Sequence, residues 1–526
     1  MTTNRKLIKS TGIIGAAILS SRILGFIRDI IFAKLFGTNI FAQAFVVAYR
    51  LPSMMRDMVG EGATDAAIVP VLTEQSHKAS KEEYWEIAHV ILNLLLVALM
   101  VVTVIGVIFA PWLIRIIAPG FMKDPLKFDT AVSLSRMIFP YVIFLGMIAY
   151  SKGVLNSFHH FTAPAFAAVV LNVSIILSLL FLCPIYGING MVAGILIGGL
   201  FQVLIQVPPL YSRGFRLEKR FNLVHPVARK VLKLLLPRVL GSAVYQMGVL
   251  IDTVLASFSW IVGAGGVAAL YYANRLIQLP LSLFAIALAT AALPKMSAEV
   301  ARNDMEKLKG TLVFALDTVF MIMIPAAAGL MIMSGPIIRI LFQRGEFSEY
   351  STMITSSALF FYAAGLVAYS GIKILVNAFY SMGDTATPVR TASISLGINL
   401  VLNLILMWPL KVGGLALATA IAATCNFFML YGKLNRRLGD IGTEAILGSL
   451  GRICGATFVM ALVAFAGRTF LEIGPGGAVV KIIGLGLTLG LSGITYFAAA
   501  YIMKVDGIIR MTGMAVEKLR SIIAKK

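Results

Sequence analysis

Apolar runs of bilayer-spanning length recur along this chain from about residue 10 to residue 503, separated by short connectors, several of them charged. They fall at roughly 10–36, 41–73, 86–117, 130–157, 161–183, 188–212, 228–259, 267–294, 308–342, 352–381, 386–409, 413–434, 444–470 and 478–503. Hydrocarbon offers the backbone no hydrogen-bond partner, so a segment that crosses it must close its own bonds, and about 20 apolar residues do so as a helix. Fourteen such spans use roughly 280 positions. The charged residues, only 13% of the 526, then crowd into the connectors at ordinary surface density. With a mean hydropathy of +0.89, this composition cannot make a soluble surface. The expectation is an all-α polytopic membrane protein of about fourteen transmembrane helices.

The net charge of +21 would suggest nucleic acid in a soluble chain. Here it reads instead as basic connectors held on the cytoplasmic face, and no nucleic-acid partner is implied. Connector 213–233 carries Arg213, Arg216, Lys219, Arg220, Arg229, Lys230 and Lys233, whereas those near 184–190 and 260–266 carry no Lys or Arg. Basic residues also follow the second, eighth and twelfth spans. Even-numbered connectors are therefore read as cytoplasmic, with both termini inside a bacterial inner membrane. The first apolar stretch holds Arg22, Arg28 and Asp29, which a cleaved secretory leader would not tolerate, so it is read as a retained span. The basic tail 504–526 has the pattern of an amphipathic helix on the inner leaflet. Cys183, Cys425 and Cys454 show no paired spacing, and no nucleophile–base set or P-loop stands out, so redox, zinc and enzymatic chemistry are not indicated.

The sequence also matches itself at a shift of 216 to 225 residues. Ser21–Gly25 matches the Pro-Arg-Val-Leu-Gly at 237–241, and Ala48-Tyr49-Arg50-Leu51 matches Ala273-Asn274-Arg275-Leu276. Pro70 matches Pro294, Pro111 with Arg115 matches Pro336 with Arg339, and Asn156 matches Asn377. Pro164 matches Pro388, and Gly190 matches Gly414. A repeat of six spans returns the chain to its starting side, giving two lobes of parallel topology, 1–220 and 221–440, with 441–526 an appended pair of spans and the tail. An interface between such lobes is where a substrate path is expected.

Charge at bilayer depth costs on the order of 2.5–3.5 kcal/mol per residue on insertion scales, so it marks function or specific pairing. Span 1 holds Arg22, Arg28 and Asp29; span 2 holds Arg50, Arg56, Asp57, Glu61 and Asp65; span 8 holds Arg275. Arg22 and Asp29, seven apart, share a helical face, with Arg28 about 120° away. Guanidinium suits bidentate contact with phosphate oxygens, so these arginines are candidates for a cationic, phosphate-binding cavity. Structural pairing of Arg22 and Arg28 with Asp29, and of Arg50 and Arg56 with Asp57 and Glu61, is the other open reading. In the second half, Asp252, Asn399, Asn403 and Thr419 offer oxygens suited to a hard cation such as sodium, or equally an interhelical hydrogen-bond network.

The run Ser21-Arg22-Ile23-Leu24-Gly25-Phe26-Ile27-Arg28-Asp29, with Leu51-Pro52, Arg56, Glu61-Gly62-Ala63 and Pro70, resembles the amino-terminal signature of the MurJ (MviN) flippase family of the MOP transporter superfamily. Tyr271–Leu276, Phe342–Phe347 and Asn377–Pro388 extend the resemblance through both halves. It implies fourteen helices and export of lipid II, the undecaprenyl-pyrophosphate-linked peptidoglycan precursor, from inner to outer leaflet, with cell-wall synthesis enzymes as partners. It implies cavity roles for Arg22, Arg28, Arg56 and Arg275, and places Asp29 and Glu61 in the same segments. Gln43 and Asn274 stand where relatives commonly carry Asp, so no carboxylate role carries over there. The residues leave open a flippase for another polyprenyl-pyrophosphate oligosaccharide, a drug/cation antiporter of related architecture, and a non-transporting scaffold. An antiporter would call for an acidic cavity, and a scaffold would not need arginines at bilayer depth. The expected mechanism is alternating access, driven by membrane potential or an ion gradient.

Overall fold

The computed structural model describes residues 3–57, 68–216, 226, 230, 231, 233, 246–473, 477–509 and 517. Glu61 and Asp65, the 237–241 repeat match, most of connector 213–233 and most of the basic tail lie outside the described residues. Two compact units are present: Met1–Ser259 with Arg344–Glu346, and Trp260–Gln343 with Phe347–Lys526.

The first unit is built from α1 (Thr3–Phe36), α2 (Ile40–Met55), α3 (Val69–Lys78), α4 (Lys81–Ile108), α5 (Ala110–Ile117), α6 (Pro125–Ile138), α7 (Tyr141–Ser157), α8 (Thr162–Phe181), α9 (Ile188–Leu204) and α10 (Gln246–Ala256). α8 packs against both α1 and α9, α2 against α6, and α4 against α7. Helix starts follow capping chemistry: Asn39, Ser80 and Asp124 each accept a backbone N–H from the first turn of α2, α4 and α6. Outside the spans, Lys230 and Lys78 both donate to Glu74, and these hydrogen bonds hold its carboxyl down to about 2.

The second unit comprises α11 (Gly266–Pro280), α12 (Ile286–Ala301), α13 (Met305–Ile332), α14 (Ser334–Phe342), α15 (Glu349–Ala364), α16 (Leu366–Ser381), α17 (Ala386–Leu438), α18 (Thr443–Ile473) and α19 (Ala478–Ile502). α13 packs on α16 and α18, α17 on α15 and α16, and α18 on α19. α17 is a hairpin rather than a rod. Its backbone leaves helical geometry at Lys411, and Ser395 donates to the Ala422 carbonyl across it. It therefore accommodates both the eleventh and the twelfth expected span. Among the described residues nine helices are long and apolar enough to cross a bilayer, and α15 with α16, bent by 43° at Gly365, makes a tenth. α2 and α10 are shorter apolar helices.

Several of the matched positions share local backbone features. A π-helical turn follows α2 at 56–57 and α11 at Leu281–Ala285. Pro111 and Pro336 lack the N–H that would reach the carbonyls of Val107 and Ile332, four residues earlier. Each of these carbonyls takes an arginine instead: Arg136 Nε at 3.3 Å in the first unit and Arg468 Nη1 at 3.4 Å in the second. A Cβ on Gly190 would lie 2.7 Å from the Cys183 nitrogen, and one on Gly414 would lie 2.0 Å from the Leu406 carbonyl oxygen, because each glycine closes a tight helical hairpin. Gly414→Ala forces backbone apart rather than a flexible side chain. It is expected to cost about 1–3 kcal/mol or more, read as a fall of several degrees in the melting temperature in detergent. Gly397→Ala, where a Cβ meets open space, should leave it unchanged.

Candidate functional site

In the first unit the arginine cluster grows from α1. Asp29 is 2% exposed, so its charge needs a partner at hand. The neighbouring Arg28 supplies it: Nη2 lies 2.8 Å and Nε 3.0 Å from Asp29 Oδ1. Adjacent residues on a helix point apart, and the pair closes only because the long arginine side chain folds back. The third nitrogen, Nη1, donates to Asn172 Oδ1 on α8 at 3.0 Å. Asn172 Nδ2 in turn donates to the Ser21 carbonyl at 3.0 Å and to Ala168 at 3.1 Å. The Asn172 amide lies over Gly25, where a Cβ would meet it at 3.6 Å, an ordinary van der Waals contact. Arg28 thus ties α1 to α8 while neutralising Asp29.

The same chemistry recurs where α2 ends. Arg56 Nη2 and Nε lie 3.0 and 3.2 Å from Asp57 Oδ1, and Nη1 lies 3.5 Å from the Tyr49 hydroxyl. Tyr49 stacks on Phe45 and meets Tyr141, whose hydroxyl donates to Gln202. The difference is exposure: the Arg56 side chain is 35% exposed against 13% for Arg28, so Arg56 can still offer N–H groups to an anion. Pro52 interrupts α2 between Arg50 and Arg56, and the Ser53 hydroxyl returns to the Arg50 carbonyl at 2.8 Å. Arg22 and Arg50 are partly exposed on α1 and α2, and Glu61 lies outside the described residues.

Two features of this unit escaped sequence reasoning. Gln43 accepts from Lys127 Nζ at 2.8 Å, and that ammonium also sits 4.1 Å from the centre of the Phe121 ring. Lys127 is buried at the start of α6, but in the sequence it stands among Lys123, Asp124 and Asp129 in a charged connector, so nothing there marked it out. Asn172, a lone amide in span 5, gave no signal at all.

In the second unit Arg275 stands on α11 with its guanidinium carbon 4.9 Å above the Tyr271 ring, while Nη2 donates to the Tyr271 hydroxyl at 3.2 Å. The aromatic face attracts and orients the cation. Three of the four proposed cation ligands also meet here: Asn399 Nδ2 donates to Thr419 Oγ1 at 3.1 Å, and Asn403 Nδ2 to Asn399 Oδ1 at 3.0 Å. Asn403 is fully buried. Asp252 lies on α10, in the first unit. Two amides, a hydroxyl and a carboxylate are the donor types of a hard-cation site, but as placed the amides bond to one another rather than turning both oxygens to a common centre.

At least nine apolar helices of spanning length among the described residues, with arginines on α1, α2 and α11, define a multi-pass membrane protein of the transporter kind. The fold is that of a multidrug-resistance MATE transporter of the MOP superfamily solved facing inward, with a TM-score of 0.68 at 16% identity over 80% of this chain and 96% of that one. A structure described as the lipid II flippase MurJ in an inward closed conformation matches with a TM-score of 0.79 at 27% identity, covering 94% of this chain and 99% of that chain. Curated relatives named probable lipid II flippase MurJ are 34% identical in Vibrio cholerae, over 83% of this chain and 84% of that protein, and 30% identical in Buchnera aphidicola, over 95% and 97%. Residues 32–503 match the family described as lipid II flippase MurJ, and the chain belongs to that family.

Proposed function

We propose that this chain carries lipid II from the inner to the outer leaflet of a bacterial cytoplasmic membrane by alternating access, as a transporter and not an enzyme. The supporting observation is its likeness, over 94% of its length, to a solved lipid II flippase. The parts that move in this reading are the lobes 1–220 and 221–440, with 441–526 appended and both termini cytoplasmic. Arg56 and Arg275, held by Asp57 with Tyr49 and by Tyr271, bind the pyrophosphate oxygens. Arg28 positions span 1 through Asp29 and Asn172, and Arg22, Arg50 and Glu61 complete the polar surface. The polyprenyl tail stays in lipid, since each methylene moved into water costs about 0.8 kcal/mol.

A headgroup of net charge about −2 moving outward against an inside-negative potential gains roughly 4.6 kcal/mol per 100 mV if both charges cross the whole field. The potential then gives direction without ATP, and cell-wall synthesis enzymes would take up the product. No step is routed through sodium. Its involvement is tested by Asp252→Ala, which should remove any sodium dependence of transport; unchanged dependence excludes Asp252 as a ligand. The decisive experiment is lipid II translocation in cells depleted of their own flippase. Transport that falls when the potential is dissipated is the expected result. A well-expressed, inserted chain that moves no lipid II would overturn the reading in favour of another polyprenyl-pyrophosphate substrate.

A further inference from the structure

α5 and α14 are the same element in the two lobes: each is short, begins at a proline that ends the preceding span, and carries an arginine. Their surroundings differ. α14 packs against the appended helices α18 and α19, and its Ile337, Ile338 and Phe342 are buried. In α5 the residue matching Ile337 is Trp112, which is 60% exposed, and Ile116 one turn on is 69% exposed. Phe109 before the helix, and Met122 and Leu126 after it, extend the bare apolar strip. Eight residues make a helix only about 12 Å long, too short to cross a bilayer. The second lobe therefore covers this element with membrane-spanning helices, and the first lobe leaves it to whatever the membrane supplies at that depth.

Arg115 decides what that is. Its guanidinium carbon lies 5.0 Å from the centre of the Trp112 ring and 5.9 Å from that of Phe128, and the side chain is exposed. Among the described residues Arg115 makes no ion pair with a carboxylate. A guanidinium laid on an indole keeps its charge and turns its N–H edge outward, the geometry that takes two oxygens of one phosphate. Tryptophan itself favours the boundary between headgroups and hydrocarbon. We propose that α5 lies in the headgroup layer, on the outward side in the topology above, and that Arg115 with Trp112 binds the phosphate of an anionic glycerophospholipid. This site is separate from the arginines on α1, α2 and α11 and requires only that the chain spans a membrane, whatever its substrate.

The test uses the full-length protein. Delipidated protein is titrated with phosphatidylglycerol or phosphatidylcholine, and lipid adducts are counted by native mass spectrometry. Arg115→Gln and Trp112→Ala are expected to weaken the first phosphatidylglycerol adduct about tenfold, Arg115→Lys less, and phosphatidylcholine binding and the melting temperature not at all. Equal phosphatidylglycerol binding by wild type and Arg115→Gln overturns the proposal, as does a parallel loss of both lipids. A second arm places a nitroxide at Ile116→Cys in vesicles made of phosphatidylglycerol and phosphatidylcholine. Collisions with oxygen but not with a water-soluble nickel chelate support burial among lipids. The reverse accessibility overturns it, and so does capture of a protein instead of lipid by a photocrosslinker at Ile116 in cells.

Discussion

Arg28→Ala is expected to abolish lipid II transport and to destabilise the protein, whereas the double change Arg28→Ala/Asp29→Ala should recover stability without recovering transport. Removing Arg28 alone takes two N–H contacts from the Asp29 carboxylate, which is 2% exposed, and takes the Nη1 donor from Asn172 Oδ1. Breaking a buried ion pair from one side typically costs about 3–5 kcal/mol, most of it the penalty of the uncompensated charge, which the second substitution removes. The α1–α8 clamp is lost in both variants, so a span held by Arg28 stays misplaced in both. Melting temperature in detergent reads the first effect and lipid II translocation by inserted protein reads the second. If the double variant transported normally, Arg28 would serve only to neutralise Asp29. If Arg28→Asn kept both stability and transport, the charge itself would be dispensable.

Arg275→Ala should cut transport at least about thirtyfold, and Arg275→Lys should keep part of it. Arg275 packs on the Tyr271 ring and donates to its hydroxyl, so its removal loses a cation–π contact and a hydrogen bond, and the melting temperature in detergent separates that structural cost from the loss of transport. What transport loses is a charged hydrogen-bonded contact with pyrophosphate, worth about 2–5 kcal/mol when one partner is truncated. Tyr271→Ala should act through Arg275 and cost about 1–2 kcal/mol, a factor of five to thirty. It should have no further effect on an Arg275→Ala background. Full transport by Arg56→Ala, Arg275→Ala and their double variant, in well-inserted protein, would end the phosphate-binding reading of these arginines.

The helical class of the protein and the positions of most of its described spans were legible in the residues because both rest on local chemistry. An apolar run must become a helix in hydrocarbon. Pro111 and Pro336 must end one, and Gly190 and Gly414 mark hairpins where no Cβ fits. The arginines were legible for the same reason, since charge at bilayer depth is costly wherever the chain goes next. Their neighbouring partners were legible too: the open reading that paired Arg28 with Asp29 and Arg56 with Asp57 is what the structure shows, because a long flexible cation beside a carboxylate can fold back onto it. The distant partners were not. Asn172, 144 residues from Arg28, and Lys127, 84 residues from Gln43, become partners only through packing of helices distant in sequence. The matched helices α5 and α14 also differ in exposure, Trp112 standing 60% exposed where Ile337 is buried, and sequence alone does not show which face a neighbour covers. The sequence by itself determined which segments enter the membrane and which charges they carry there, since both follow from the transfer of each residue out of water. Only the tertiary structure decided which of those charges are spent on holding helices together and which stay available, since that depends on contacts between residues far apart in the chain.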